Sequence, residues 1–252
     1  MTNLIHAELY RLRTTRTTWA LLAGAIGIVA LVLFPPLVNA GRGSYPSLGT
    51  AHSLETIVGA PRFAMYFSVL LGVLAVSGEF RHRTITSTFL ATPDRLRVVV
   101  AKLAANGVAG LGFGAVASVA ALGTAYAWHQ AKGVPLDLAQ TDVGLSVLGL
   151  MAVTAVLAMI GVGVGALVPN QAAALVGVIV WLQILESSLI TGIAPQLYGW
   201  TVNGAALALA RLAPPSSALP LLSPLQGGLL LSAYAAVLAF VAARVTLDRD
   251  LT

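Results

Sequence analysis

Charge is what this sequence has least of. Asp, Glu, Lys and Arg make up 9% of its 252 residues, against roughly a quarter in a soluble globular domain, so a water-facing surface cannot be assembled from it. Cysteine is absent, which excludes a disulfide framework, a thiolate metal site and a cysteine nucleophile. Lysine is confined to Lys102 and Lys132. Neither stands in a glycine-rich run closed by Gly-Lys-Ser/Thr, so the chain by itself has no phosphate cradle for ATP. HExxH and G-x-S-x-G are missing as well, and His6, His52, His82 and His129 fall at span ends or in loops. With no base placed beside a nucleophile and no carboxylates paired at helical spacing within the apolar runs, the sequence predicts a chain that is not an enzyme and holds no metal or cofactor of its own.

What is abundant is apolar length: 58% of the residues are hydrophobic. A helix crossing a bilayer needs about 20 predominantly apolar residues, and six such runs stand out, over 19–38, 63–78, 98–128, 143–168, 172–194 and 225–245. They predict an all-α integral membrane protein of one domain, residues 1–252. The first run follows Arg11, Arg13 and Arg16 but has no small-x-small cleavage site, so it reads as a retained span. An even number of spans puts both termini on one side.

The net charge of +5 is explained by placement. With the termini cytoplasmic, Arg11, Arg13, Arg16, Arg81, Arg83, Arg95, Arg97, Lys102, Arg244 and Arg249 fall inside, and only Arg42, Arg62, Lys132 and Arg211 outside. This bias sets the predicted orientation. It also excludes nucleic acid as a partner, since the positive charge follows one membrane face and forms no dense patch.

Small residues recur every fourth position: Gly110 and Gly114, Gly161 and Gly165, and Ala101, Ala105 and Ala109. They predict close helix packing, within the subunit or between subunits. Residues 1–17 include Ile5, Leu9 and Leu12 on one side, predicting an amphipathic helix on the inner surface with its arginines at lipid headgroups, an anchor or a lever against a partner. Between the second and third spans, residues 79–93 place Ile85 and Phe89 four apart, an ordinary polar loop or a short docking helix. Thr92 and Pro93 then read as N-cap and first position of the next helix, with Lys102 snorkelling back to the headgroups.

The fifth span sets Gln183, Ser187 and Thr191 at i, i+4 and i+8 with Glu186 beside them. A carboxylate there costs about 2.5–3.5 kcal/mol on insertion scales. It either faces a substrate path or snorkels outward while the hydroxyls bond their own helix. Residues 195–224 carry five prolines around an Ala/Leu-rich middle, Val202 to Leu212, predicting an interfacial loop or a short helix dipping into the outer leaflet.

The opening Ala7-Glu8-Leu9-x-Arg11-Leu12-Arg13, and the inner loop Glu79-x-x-x-x-Thr84 followed by Ala91-Thr92-Pro93-x-Arg95 and Lys102, resemble the membrane-spanning permease subunits of type-2 ABC transporters. Many members have Gly where this chain has Arg83. The resemblance implies a coupling helix over residues 79–93, with Glu79, Arg81, Arg83, Thr84, Ile85 and Phe89 meeting a separate nucleotide-binding ATPase subunit that carries ATP and Mg. It implies a second permease copy, identical or related, and outward movement of a hydrophobic or amphipathic substrate, such as a drug, lipid or peptide. Gln183, Glu186, Ser187 and Thr191 become candidate pathway residues, and the loop 195–224 a candidate outer gate. The expected location is the bacterial cytoplasmic membrane. A stand-alone channel, immunity or scaffold protein without an ATPase is the alternative.

Overall fold

The computed structural model describes residues 2–81, 95–140, 142–168 and 170–248. Helix α1 (Thr2–Thr14) leads through Thr15 into α2 (Arg16–Val38), whose last turn carries Pro35 and Pro36. A loop with left-handed Gly41, Gly43 and Gly49 follows. The second apolar crossing begins earlier than its predicted start at Phe63. It opens with α3 (Ala51–Gly59), capped where Thr50 Oγ1 accepts from the Ser53 amide at 3.2 Å. It bends through a 3-10 turn at Ala60–Phe63 and continues as α4 (Ala64–Arg81). Pro61, with no amide proton to give, sits in that turn, where the loss of a donor is tolerated.

Helix α5 (Arg95–Lys132) is the longest, and α6 (Val143–Leu167) returns beside it. Helix α7 spans Gln171–Ile193 and is capped where Asn170 Oδ1 accepts from the Ala173 amide at 3.1 Å. After a 3-10 turn at Pro195–Trp200 come the short α8 (Val202–Leu209) and the last span, α9 (Pro224–Asp248). Six of these stretches are long and apolar enough to cross a membrane, and the described residues contain no strand. This is a multi-pass membrane protein. Large apolar side chains cover its outside, among them Leu31, Phe34, Val119, Leu148, Ile184, Leu229 and Phe240. Such a surface is stable only against hydrocarbon.

Helices α4 and α6 form the centre. In the second and fourth crossings 61% of the most apolar window is buried, against 22–24% in the first, fifth and sixth. Glycine explains how closely they meet. A Cβ at Gly165 would lie 2.6 Å from the Val73 carbonyl oxygen, and one at Gly161 would run into that of Val69. On another side of α6, Gly110 and Gly114 of α5 rest against Thr154 and Met151. Both GxxxG pairs are therefore used within the subunit, where lipid gives no hydrophobic drive and close backbone approach supplies the contact area. Ala101 and Ala105 are buried in the same way. Around this centre one apolar cluster gathers α4, α6, α7, α8 and α9 about Val69, Leu157 and Leu231, and another joins α1, α2, α4 and α5 about Val29 and Phe113.

Residues 202–209 do not lie on lipid. Asn203 to Ala208 are all buried, and α8 packs on α9 where Gly227 admits the Ala205 carbonyl and on α6 where Gly149 meets Ala210. The Ala/Leu-rich middle of the long connection is thus a helix enclosed by protein.

Candidate functional site

A group of charged side chains is drawn into the bundle at one end, and a single acidic side chain, Glu186, is buried at the other. At the α1 end, Glu8 and Arg11 stand three residues apart on one helix face, with Arg11 Nη2 3.1 Å from Glu8 Oε2. Arg11 Nη1 pairs with Glu79 Oε1 of α4, and its Nη2 donates to the Ala75 carbonyl at 2.9 Å. Lys102 of α5 completes the group, its Nζ 2.7 Å from Glu8 Oε1 and 2.5 Å from Glu79 Oε1. Two cations and two carboxylates make a neutral set, with Glu79 and Lys102 each about one-twentieth exposed. A buried charge is tolerable only when paired and hydrogen-bonded.

This arrangement bears on three expectations. Lys102 does not snorkel, because two carboxylates meet it inside the bundle. Arg11 reaches toward α4 for the same reason, while its side chain stays about two-fifths exposed. Glu79, expected at a docking surface, lies within this buried set. Arg81 closes α4, while Arg83, Thr84, Ile85, Phe89, Thr92 and Pro93 lie outside the described residues.

At the opposite end the four candidate pathway residues separate. Residues Val180–Ile190 of α7 wind as a π-helix, whose wider turn alters the expected register. Glu186 turns into the protein and is 2% exposed. Gln183 stays exposed, its Oε1 accepting from the Tyr66 hydroxyl at 2.9 Å. Ser187 and Thr191 hydroxyls donate to their own helix, to the Leu182 carbonyl at 3.0 Å and the Ser187 carbonyl at 2.7 Å. Of the two outcomes open for the hydroxyls, backbone bonding is what occurs. For Glu186 the snorkelling outcome is overturned.

Glu186 is held by donors that sequence periodicity does not announce. Trp181 Nε1 donates to Oε1 at 2.7 Å and the Asn203 amide to Oε2 at 2.8 Å. In an α-helix, residues five apart are about 140° apart around the axis; the π turn brings Trp181 and Glu186 together. Asn203 is the second residue of α8, whose first amides have no partner within the helix and favour an anion. Thr201 caps the same terminus, its Oγ1 accepting from the Gly204 amide at 3.0 Å, and Asn203 Nδ2 donates to the Leu182 carbonyl at 2.7 Å. Thr201 ahead of an Ala/Leu run was the one readable signal here. Tyr198 beside this site is buried, which pushes its phenol above the ordinary tyrosine range against the lowering pull of Arg62, so it brings no charge.

Between α6, α7 and α9 runs a groove of about 790 Å³. Its walls are apolar, with Leu157, Val178 and Val237 typical, and Trp181, Trp200 and Tyr234 at its sides. Glu186 is the one charged residue in its lining. Among the described residues no Lys or Arg forms an ion pair with it. The groove and the carboxyl group are thus one site: an apolar cavity of drug-like size with a single acidic side chain in its wall. The chain matches no protein-family model and no curated protein.

Proposed function

We propose that this chain is the permease subunit of an ATP-driven exporter of the bacterial cytoplasmic membrane, moving a hydrophobic or amphipathic substrate outward as a pair with a second permease copy. The observation that carries the reading is the buried charge cluster. It fastens α1 to α4 and α5, the two helices that flank residues 82–94. A segment suspended between two helices braced in this way can transmit a push from a soluble partner into the bundle, which is what a coupling element has to do. On this reading both termini are cytoplasmic, α1 lies at the membrane surface, and residues 79–93 dock on an ATPase subunit that brings ATP and Mg. Arg81, Arg83, Thr84, Ile85 and Phe89 supply the contacts and Glu79 holds the element from behind. The groove beside Glu186 is the substrate's place in the outer half. The enclosed α8 separates that groove from the outer water.

Affinity purification of the chain from its native membrane is the test. An ATPase of separate sequence is expected to accompany it. Phe89→Ala and Ile85→Ala are each expected to release that ATPase and lower its hydrolysis, with a loss of about 2 kcal/mol if either side chain anchors the interface. A chain that purifies alone and full-strength hydrolysis in both variants would favour a stand-alone membrane protein.

A further inference from the structure

We propose that the groove between α6, α7 and α9 binds a lipophilic monocation, a soluble organic ion with an aromatic or aliphatic body, whose charge is answered by Glu186; this names the substrate class of the exporter proposed above and rests on that reading. Three observations point to this chemistry. First, the groove wall is apolar save for one carboxylate, and that carboxylate has two hydrogen bonds but no cation among the described residues. The Val202 amide and the Thr201 hydroxyl also face this carboxyl group, so every group set against it is a donor, and a negative charge enclosed by hydrocarbon gains most from an opposite charge because little screens the pair. Second, Trp181, Trp200 and Tyr234 border the groove, and aromatic faces attract cations most strongly where water is excluded. Third, a volume of about 790 Å³ matches a drug-sized ion.

The same features decide against other occupants. An anionic amphiphile would meet Glu186 with like charge. A neutral apolar molecule would fill the groove and leave the carboxylate without a counter-charge. The seat itself is rigid, since Glu186 is anchored to α8 by the Asn203 amide and to its own helix by Trp181, so little ordering is needed when the ion arrives.

The test uses the purified full chain in phosphatidylglycerol nanodiscs without any ATPase, with tetraphenylphosphonium as probe and uncharged triphenylphosphine oxide as its neutral counterpart. Equilibrium binding is measured against empty nanodiscs. The chain is expected to prefer the cation, and Glu186→Gln to weaken cation binding by about tenfold or more while leaving the neutral compound unchanged. Gly177 lines the groove, and a Cβ there meets nothing within 4 Å, so Gly177→Leu is expected to fold, keep the carboxylate and lose both compounds. Unaltered cation binding in Glu186→Gln, or in Gly177→Leu, overturns the proposal. Should Glu186→Gln fail to fold, the Gly177→Leu result and the cation preference of the unaltered chain still decide it. Loss of cation binding when phosphatidylethanolamine is added assigns the carboxylate to a lipid amine and overturns it too. Because no ATPase is present, a positive result stands even if the chain purifies alone, and a negative one leaves the docking experiment untouched.

Discussion

The Asn203 amide donates to Glu186 Oε2 at 2.8 Å, joining the start of a short helix to a carboxylate seventeen residues earlier. The bond serves both partners. It satisfies an amide that α8 cannot satisfy internally, and it lets a carboxylate sit inside apolar surroundings.

Truncating the acid removes the acceptor from two donors at once. Glu186→Ala is therefore expected to cost about 1.5–3 kcal/mol, read as a lower Tm by circular dichroism in detergent. Trp181→Phe, which loses one donor and keeps the ring, is expected to cost less than half of that. Equal Tm for Glu186→Ala and the unaltered chain would show that the carboxylate fastens nothing.

Lys102 answers two buried carboxylates, so Lys102→Met leaves both without their shared cation. A loss of about 3–5 kcal/mol is expected. Adding Glu79→Gln is expected to recover part of it, because one of the stranded charges is then gone. A double-mutant cycle on thermal unfolding measures the coupling; additive losses would mean that Lys102 and Glu79 do not act together.

The glycines divide into two classes by what surrounds them. Gly161→Ala and Gly165→Ala push a methyl group into the backbone of α4 and are expected to lower Tm and yield. Gly112 and Gly123, where a Cβ meets nothing within 4 Å, gain helix propensity on replacement by Ala, worth up to about 1 kcal/mol each. Similar behaviour of the two classes would show that α4 and α6 are not in such close contact.

Orientation is open to direct labelling because cysteine is absent. In intact cells, His82→Cys is expected to be shielded from an impermeant thiol reagent and Ser44→Cys to react. The opposite pattern would invert the bundle and with it the docking face.

The crossings were legible because long apolar runs have only one stable environment, and the Ala/Leu-rich middle Val202 to Leu212 already had a short helix as one of its two readings. The charged residues were harder. Arg11 and Lys102 each looked like a headgroup contact when taken in its own segment, since the partner that turns it inward lies up to 94 positions away. The polar stripe of α7 failed for a local reason. It assumed α-helical register through Val180–Ile190, where the helix widens, so Glu186 parted from Gln183, Ser187 and Thr191. Trp181 and Asn203 went unnoticed as its partners because nothing in their own spacing marks them.

The charge cluster at α1 also sets an order of events during synthesis. Glu8 and Arg11 leave the ribosome among the first residues, whereas Glu79 is 68 positions behind Arg11 and Lys102 is 94 behind Glu8. Arg11 actually spans 68 positions to Glu79, so α1 must wait with its charges hydrated while two spans are threaded and a third begins. Its docking is thus the closing step for the first half of the chain. A chain that ends before Lys102 would hold α1 by Glu79 alone, with Glu8 and Glu79 sharing one cation instead of two.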